Sequence, residues 1–138
     1  MDEALTQIVV YKSLIKGGFL RGTPEVYRIY RTEQDKIAFL MEAIEGKVME
    51  DIFKMYRIVP TKLIVETLFH IGAMIDWLVQ DIGMNHRDLK PSNLLIVEHA
   101  PTYKKRKVGN KRYTIVSNFD IVFLDYGFSC IGEEMSLL

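Results

Sequence analysis

Apolar positions along the chain predict one long helix near its middle. Over residues 61–82 apolar side chains recur every three or four positions, as on one face of a helix: Ile64, Leu68, Ile71, Ile75, Leu78, Val79 and Ile82. Pro60 breaks the preceding segment, Thr61 can cap the new helix, and Gly83 ends it. This is the strongest periodic pattern in the sequence.

Two shorter helices are predicted on weaker patterns. The first covers residues 3–16, with Leu5, Ile8, Val9 and Ile15 on its apolar face, and ends at Gly17-Gly18. The second covers residues 48–56, where Ile52 and Met55 stand at helical spacing.

Alternating and continuous apolar runs predict two β-hairpins. The first pairs a strand at residues 25–31 with a strand at residues 37–41, across a polar turn. The second begins with a short strand at residues 94–97 and returns over residues 113–116, with Gly109-Asn110 as a favourable turn pair. At 138 residues the chain is long enough for one core, so we expect a single domain of the α+β class.

Composition and charge favour a cytoplasmic protein with no membrane partner. The formal net charge is zero, so no global field attracts nucleic acid or a membrane surface. The single cysteine, Cys130, forms no internal disulfide, which fits a reducing compartment. We find no secretory signal and no run of about 18 uncharged apolar residues.

A basic cluster at residues 104–107, Lys-Lys-Arg-Lys, leaves an alternative open. Such a cluster can act as a nuclear-localisation signal or as a nucleic-acid patch. No aromatic residues alternate with the cations, as stacking on bases would require. A solvated hairpin tip is therefore the favoured interpretation, and nucleic acid is not an expected partner.

Residues 86–93, His-Arg-Asp-Leu-Lys-Pro-Ser-Asn, concentrate the chemistry of the chain. They hold one acid (Asp88), one amide (Asn93) and two fixed cations, a set that can hold a hydroxyl, a metal ion and a phosphate together. Asp125-Tyr126-Gly127 follows later, directly after the apolar run 121–124.

The first of these motifs resembles the catalytic loop of eukaryotic-type protein kinases, H-R-D-L-x-x-x-N, at every specified position. The second resembles the metal-binding Asp-Phe-Gly of the same family, with Tyr126 in place of phenylalanine. Lysine two residues after Asp88 matches the serine/threonine group of these kinases. The flanking sequence is most similar in style to kinases of large DNA viruses or protists.

The resemblance implies a role for each residue of these motifs. Asp88 would accept the proton of a substrate hydroxyl, and Lys90 would neutralise charge on the transferred phosphoryl group. Asn93 and Asp125 would hold Mg²⁺ at the phosphates of ATP. The ring of Tyr126 would fill the apolar slot of the phenylalanine, where its hydroxyl needs a partner. His86 and Arg87 would be structural.

The resemblance also implies a nucleotide pocket at residues 42–47, the hinge between the two lobes of a kinase. The backbone groups of Glu42 and Ile44 would hydrogen-bond adenine, with Met41 at the back of the pocket and Leu95 beneath the base. Glu3 is a candidate for the glutamate that pairs the strand lysine of the family. It is at least as well explained as a first-turn acid favoured by the helix dipole.

The resemblance covers the middle of a kinase domain, which would need roughly 250 residues when complete. Residues 1–41 would be a remnant of the N-lobe, with a helix similar to αC, and residues 48–138 a partial C-lobe, with a long helix similar to αE. The glycine-rich loop, the strand lysine and the A-P-E motif of the family are absent from the sequence. Three interpretations stay open: the central part of a kinase that phosphorylates protein substrates, an inactive kinase-like module that binds a nucleotide or a partner, and a helical interaction protein whose motifs are relics.

Overall fold

The computed structural model describes residues 3–131, which form an α+β fold. The elements in chain order are α1 (Glu3–Lys16), β1 (Val26–Arg31), β2 (Ile37–Met41), β3 (Lys47–Val48), α2 (Met49–Lys54), α3 (Thr61–Ile82), β4 (Leu94–Val108) and β5 (Lys111–Phe123), with one 3-10 turn (Pro91–Asn93) before β4. The described strands make two antiparallel sheets, β1-β2 and β3-β4-β5. The predicted α+β class and the predicted helices are confirmed. Residues 1–2 and 132–138 of the proposed partial domain lie outside the described residues.

Helix α3 forms the central post of the fold. Its apolar repeat buries Ala73, Met74 and Leu78 in the core. Gly83 ends the helix in the left-handed conformation, with φ of 61°, and its N–H bonds the carbonyl of Val79. The predicted bounds of this helix are therefore correct.

By length and composition alone α3 is long and apolar enough to cross a membrane. The expectation that no run of about 18 uncharged apolar residues occurs still holds, because Glu66 and Asp76 interrupt the helix. One such helix is weak evidence, because the core helix of a soluble protein also passes this test. Core helices of that kind are mostly buried, whereas 28% of the most apolar window of α3 is buried. The apolar character of α3 therefore assigns it no membrane role.

Helix α1 packs with a different face from the one predicted. Leu5 and Ile15 are exposed, whereas the buried positions are Ala4, Thr6, Gln7, Val10, Ser13 and Leu14. Two of its polar members, Gln7 and Ser13, have hydrogen-bond partners outside the helix, so burial is possible for them. An apolar pattern alone could not identify that face.

The C-terminal ends of α1 and α3 are joined closely. The indole Nε1 of Trp77 donates to the carbonyl of Ser13 at 2.8 Å, and the Ser13 hydroxyl donates to Asp81 at 2.7 Å. A Cβ at Gly17 would come within 2.6 Å of the Trp77 ring, so only glycine fits at this approach.

Strands β4 and β5 form a hairpin much longer than predicted. The pairing runs from Leu94↔Phe123 to Val108↔Lys111, with an irregularity between Glu98 and Thr102. Gly109-Asn110 is the turn, as expected, and the N–H of Gly109 donates to Asp76 on α3 at 3.2 Å. The hairpin therefore lies along α3 instead of projecting into solvent.

The prediction that the basic cluster is a solvated tip is wrong for two of its four cations. Lys104 and Arg106 are half-buried, whereas Lys105 and Lys107 are exposed. Side chains alternate between the two faces of a strand, so every second cation turns toward the body of the protein. Lys104 pairs with Asp120 at 2.9 Å, and the guanidinium of Arg106 stands 4.4 Å from the ring centroid of Phe19.

The β1-β2 hairpin is largely exposed, although its predicted bounds are close to those observed. Large apolar side chains on both of its strands face solvent: Tyr27, Ile29, Tyr30, Ile37, Leu40 and Met41. Apolar exposure of this extent typically marks a surface that another chain or segment covers.

Candidate active site

His86 ties the loop at residues 86–93 to the end of β5. The ring is buried, Nε2 lies 2.7 Å from the carbonyl of Leu124, and Nδ1 accepts the N–H of Asp88 at 3.3 Å. A carbonyl only accepts, so Nε2 must carry the proton and the ring is the neutral Nε2–H tautomer. Burial lowers the pKa of His86 and outweighs the opposing effects of its bond to Leu124 and of the nearby carboxylates.

Two residues of the site hold left-handed backbone conformations. Arg87 has φ of 67° and Asp125 has φ of 57°. Such conformations cost of order 1–3 kcal/mol each in non-glycine residues and persist only where the surroundings determine them. Here the Ser129 hydroxyl donates to the carbonyl of His86, and the backbones of Asn85 and Cys130 exchange two hydrogen bonds. Residues 129–130, which follow the second motif, are therefore hydrogen-bonded to residues 85–86, which directly precede Arg87.

The three predicted catalytic residues meet within the loop. Nδ2 of Asn93 donates to the carbonyl of Asp88 at 3.0 Å and to its Oδ2 at 3.1 Å. Nζ of Lys90 lies 3.5 Å from Oδ1 of the same carboxylate. Lys90 is exposed, so this pair contributes little to stability. Its effect is to hold a cation beside an oriented carboxylate.

Asp125 lies next to this group through the backbone. The N–H of Leu124 donates to the carbonyl of Asn93 at 3.0 Å, which puts Asp125 one residue from that contact. Its side chain is exposed, and Oδ1 accepts the N–H of Gly127 at 3.2 Å. The hairpin thus brings the predicted metal-binding residues, Asn93 and Asp125, to its open end.

The donor set at this end is chemically compatible with the Mg²⁺ that the resemblance implies. Among residues 3–131 no group of three or more His, Cys, Asp or Glu side chains is arranged for a metal. Mg²⁺ is commonly held by one or two carboxylates together with phosphate oxygens and water. The carboxylate of Asp125 and the amide oxygen of Asn93, whose nitrogen faces Asp88, supply that smaller set.

The predicted hinge ends next to β4, where Lys47 pairs with Ile96, the neighbour of Leu95. Residues 42–46 have no regular secondary structure, and β3, which follows, pairs with β4 in the register Val48↔Leu95. The N–H of Glu42 already donates to the carbonyl of Glu25 at 2.8 Å. The predicted contact of Glu42 with adenine could therefore be made only by its carbonyl, and the predicted contact of Ile44 stays a prediction.

Gln7 is a residue of this region that the sequence did not reveal. It is buried in α1, and its Nε2 donates to the carbonyl of Pro24 at 2.9 Å and lies 3.5 Å from the sulfur of Met41. The only sequence signal was a polar residue inside an apolar helix. Glu3, the candidate for pairing a lysine, is exposed in the first turn of α1.

The hydroxyl of Tyr126, which phenylalanine would lack, has the hydrogen-bond partner that a buried hydroxyl needs. The ring is buried, and the hydroxyl donates to Oγ1 of Thr23 at 2.8 Å. Burial raises the pKa of the hydroxyl above its ordinary value, although the bond to Thr23 acts in the opposite direction. The expectation that this hydroxyl needs a partner is confirmed.

Comparison with known proteins adds no family to this picture. No protein-family model matches the sequence, and a search of the curated proteins finds no match. What the site does must therefore be argued from its residues and their geometry.

Proposed function

We propose that the chain belongs to the catalytic core of a serine/threonine protein kinase, which transfers the γ-phosphate of ATP to hydroxyl groups of protein substrates. The observation that supports this most is the arrangement around Asp88. Its carboxylate accepts a hydrogen bond from Asn93 and has the ammonium group of Lys90 beside it. A kinase-like organisation, with residues 42–47 as the hinge and α3 as the αE-type helix, is part of the proposal.

Transfer of a phosphoryl group depends on positioning and charge compensation more than on covalent chemistry. In the proposed mechanism Asp88 orients the attacking hydroxyl and accepts its proton. The bond from Asn93 fixes the plane of that carboxylate, because the same amide is held by the Asp88 carbonyl. The cation of Lys90, 3.5 Å away, would compensate charge on the group in transfer.

The nucleotide would lie between the hinge and the open end of the β4-β5 hairpin. The backbone of Glu42 and Ile44 would bind adenine, with Leu95 beneath it and Met41 behind it. Asn93 and Asp125 would hold Mg²⁺, which when bound neutralises charge on the phosphates. The exposed position of Asp125 is compatible with this role, since the metal would arrive from solvent with its nucleotide.

A kinase-like module that binds without transfer is the second candidate function. It is favoured by the exposed apolar side chains of the β1-β2 hairpin, such as Tyr27 and Leu40, which suit contact with a partner. Both candidates share the nucleotide site, and only the first requires a functional base at Asp88.

The proposal is tested by equilibrium binding of ATP with and without Mg²⁺. We expect weak binding that Mg²⁺ strengthens, and loss of the Mg²⁺-dependent part in Asp125→Asn. Asp35→Asn is the matched control, because Asp35 is also an exposed aspartate with positive φ but lies in the β1-β2 turn. Failure to bind ATP, or equal effects of the two variants, would refute the proposed nucleotide site.

A further inference from the structure

A cavity of about 240 Å³ is lined by none of the residues of the catalytic loop. Its walls are the segment 18–22 after α1, the residues His70 and Met74 on α3, and four residues of the long hairpin, Lys104, Arg106, Asp120 and Ile121. None of the residues assigned above to nucleotide, metal or catalysis lines it. The cavity exists because the enlarged hairpin folds back on the body of the protein.

Arg106 places a half-buried guanidinium in the wall of this cavity. Its Nε is buried and has no hydrogen-bond partner among the described residues. The guanidinium is held by stacking over Phe19, with 4.4 Å between the cation and the ring centroid. Burial lowers the pKa of this guanidinium, while the carboxylate of Asp120 acts in the opposite direction. Because Nε has almost no accessible surface, a ligand in the cavity would meet the terminal nitrogens of the guanidinium, of which Nη1 also donates to the carbonyl of Lys105 at 3.1 Å.

The walls carry an excess of positive charge. Arg21, Lys104 and Arg106 face a single carboxylate, Asp120, which is already paired with Lys104 at 2.9 Å. His70 adds no charge at neutral pH, because burial lowers its pKa to about 4. Two positive charges thus remain without a counter-charge among the residues that line the cavity.

We propose that this cavity binds a phosphate monoester through Arg106 and Lys104. The planar fork of an arginine matches the oxygens of phosphate, and a doubly charged anion would balance the remaining cations. The cavity is smaller than the roughly 300–1,000 Å³ of pockets for drug-sized ligands, so a phosphate group with a short substituent fits better than a whole nucleotide. The inference is independent of the proposed kinase activity.

The test is calorimetric titration of the 138-residue chain with inorganic phosphate and with O-phosphoserine, in a Lys90→Gln background that removes a competing cation in the candidate active site. Arg106→Gln and Lys104→Gln should each weaken binding by about tenfold, the loss expected for one charged hydrogen bond. Lys105→Gln and Lys107→Gln are matched controls on the outer face of the same strand and should bind as the parent does. Asp120→Asn should bind more tightly, because it removes the one carboxylate among the described residues that line the cavity and frees Lys104.

The outcomes separate the possible ligands. Tighter binding of O-phosphoserine than of phosphate identifies an esterified phosphate, such as a phosphorylated side chain; equal binding identifies the free anion, and both support an anion site for phosphate. Equal binding of acetate would overturn the assignment to phosphate. Equal losses in the inner and outer variants would show non-specific attraction and overturn the site itself. Thermal unfolding of each variant shows whether weaker binding is caused by loss of the fold. Arg106→Lys is a second, more conservative substitution at the same position.

Discussion

The hydroxyl of Tyr126 donates to Oγ1 of Thr23 at 2.8 Å, across 103 positions of the sequence. Thr23 in turn donates to the carbonyl of Phe123 at 3.0 Å. A turn that follows α1 is thereby fixed to the motif that follows β5. The conformation of Asp125, next to Tyr126, depends on a contact with the other end of the chain.

Removing this hydroxyl should cost less than removing its acceptor. In Tyr126→Phe, Thr23 keeps its own bond to Phe123, so no buried donor is orphaned and we expect a loss of about 1 kcal/mol in unfolding free energy. Thr23→Val leaves the Tyr126 hydroxyl with only a 3.4 Å contact to the Phe123 carbonyl, and should cost about 1–3 kcal/mol. Urea unfolding of both variants and the double variant measures the coupling. Additive losses would contradict the bond.

Stability should fall as the pH is lowered, because of His70. This residue is 4% exposed, and burial lowers its pKa from 6.5 to about 4, with Lys104 and Arg106 acting in the same direction and Asp120 in the opposite one. Between pH 6.5 and 4 the unfolded chain binds a proton that the folded chain does not, so acidification favours unfolding, by roughly 3 kcal/mol over the full window. Urea unfolding at pH 7 and 4.5 should show a smaller pH effect in His70→Gln than in the parent. Parallel losses in the two proteins would assign the effect to other groups, such as His86.

Two glycines should respond in opposite directions to alanine. In Gly17→Ala the new methyl group would stand 2.6 Å from the Trp77 ring, which is held by its bond to Ser13, so we expect a loss of about 1–3 kcal/mol. In Gly72→Ala nothing lies within 4 Å, and the residue is inside α3, so a gain of about 0.5–1 kcal/mol is expected. Thermal unfolding of the two variants gives the comparison. A destabilised Gly72→Ala would mean that α3 is packed more tightly there than the structure indicates.

The two faces of the basic cluster should differ in stability as they differ in burial. Serine at both Lys104 and Arg106 removes an ion pair and a stacked cation and should cost about 1–2 kcal/mol. Serine at both Lys105 and Lys107 should change stability by less than about 0.5 kcal/mol, because both are exposed. Chemical denaturation of the two double variants distinguishes them. A large loss in the outer pair would show that strand alternation does not explain the cluster.

A protein of these 138 residues should not phosphorylate protein at a useful rate. Asp88, Lys90 and Asn93 meet in the loop, but the sequence holds neither a glycine-rich loop nor a strand lysine to align the phosphates. Positioning and electrostatic stabilisation account for most of the catalysis of phosphoryl transfer, so a correctly placed base cannot compensate for their loss. The measurement is transfer from labelled ATP to a generic basic protein, beside Asp88→Asn. Activity that disappears in this variant would show the chain to be a working kinase.

The features that were predicted correctly depend on residues that are close together in the sequence. Helix α3 has an apolar repeat over 22 residues and a glycine at its end, so its bounds followed from the pattern. Gly109-Asn110 fixed the turn of the second hairpin in the same way. The meeting of Asp88, Lys90 and Asn93 follows from their spacing within one loop.

The features that the sequence did not predict depend on contacts between residues that are far apart in the sequence. Residues 98–107 are mostly polar and charged, so only the folding of the hairpin onto α3 makes them a strand. Gln7 and Ser13 are buried because Pro24 and Asp81 accept their hydrogen bonds, and no pattern within α1 contains that information. The cavity beside Arg106 is missed for the same reason.

The long hairpin has a consequence for the order in which the protein assembles. Its strands are adjacent in sequence, and closing a hairpin takes about 1–10 μs, so pairing starts at Gly109-Asn110 before distant contacts form. Zipping then proceeds toward Leu94↔Phe123, and the contact of Asn93 with Leu124 closes at the end of the process. The catalytic loop is thus the last part of the hairpin to form, but it adjoins the buried pair Leu94↔Phe123. Hydrogen exchange at the N–H of Leu124 should therefore report opening of the core, whereas exchange near the exposed turn reports local fraying.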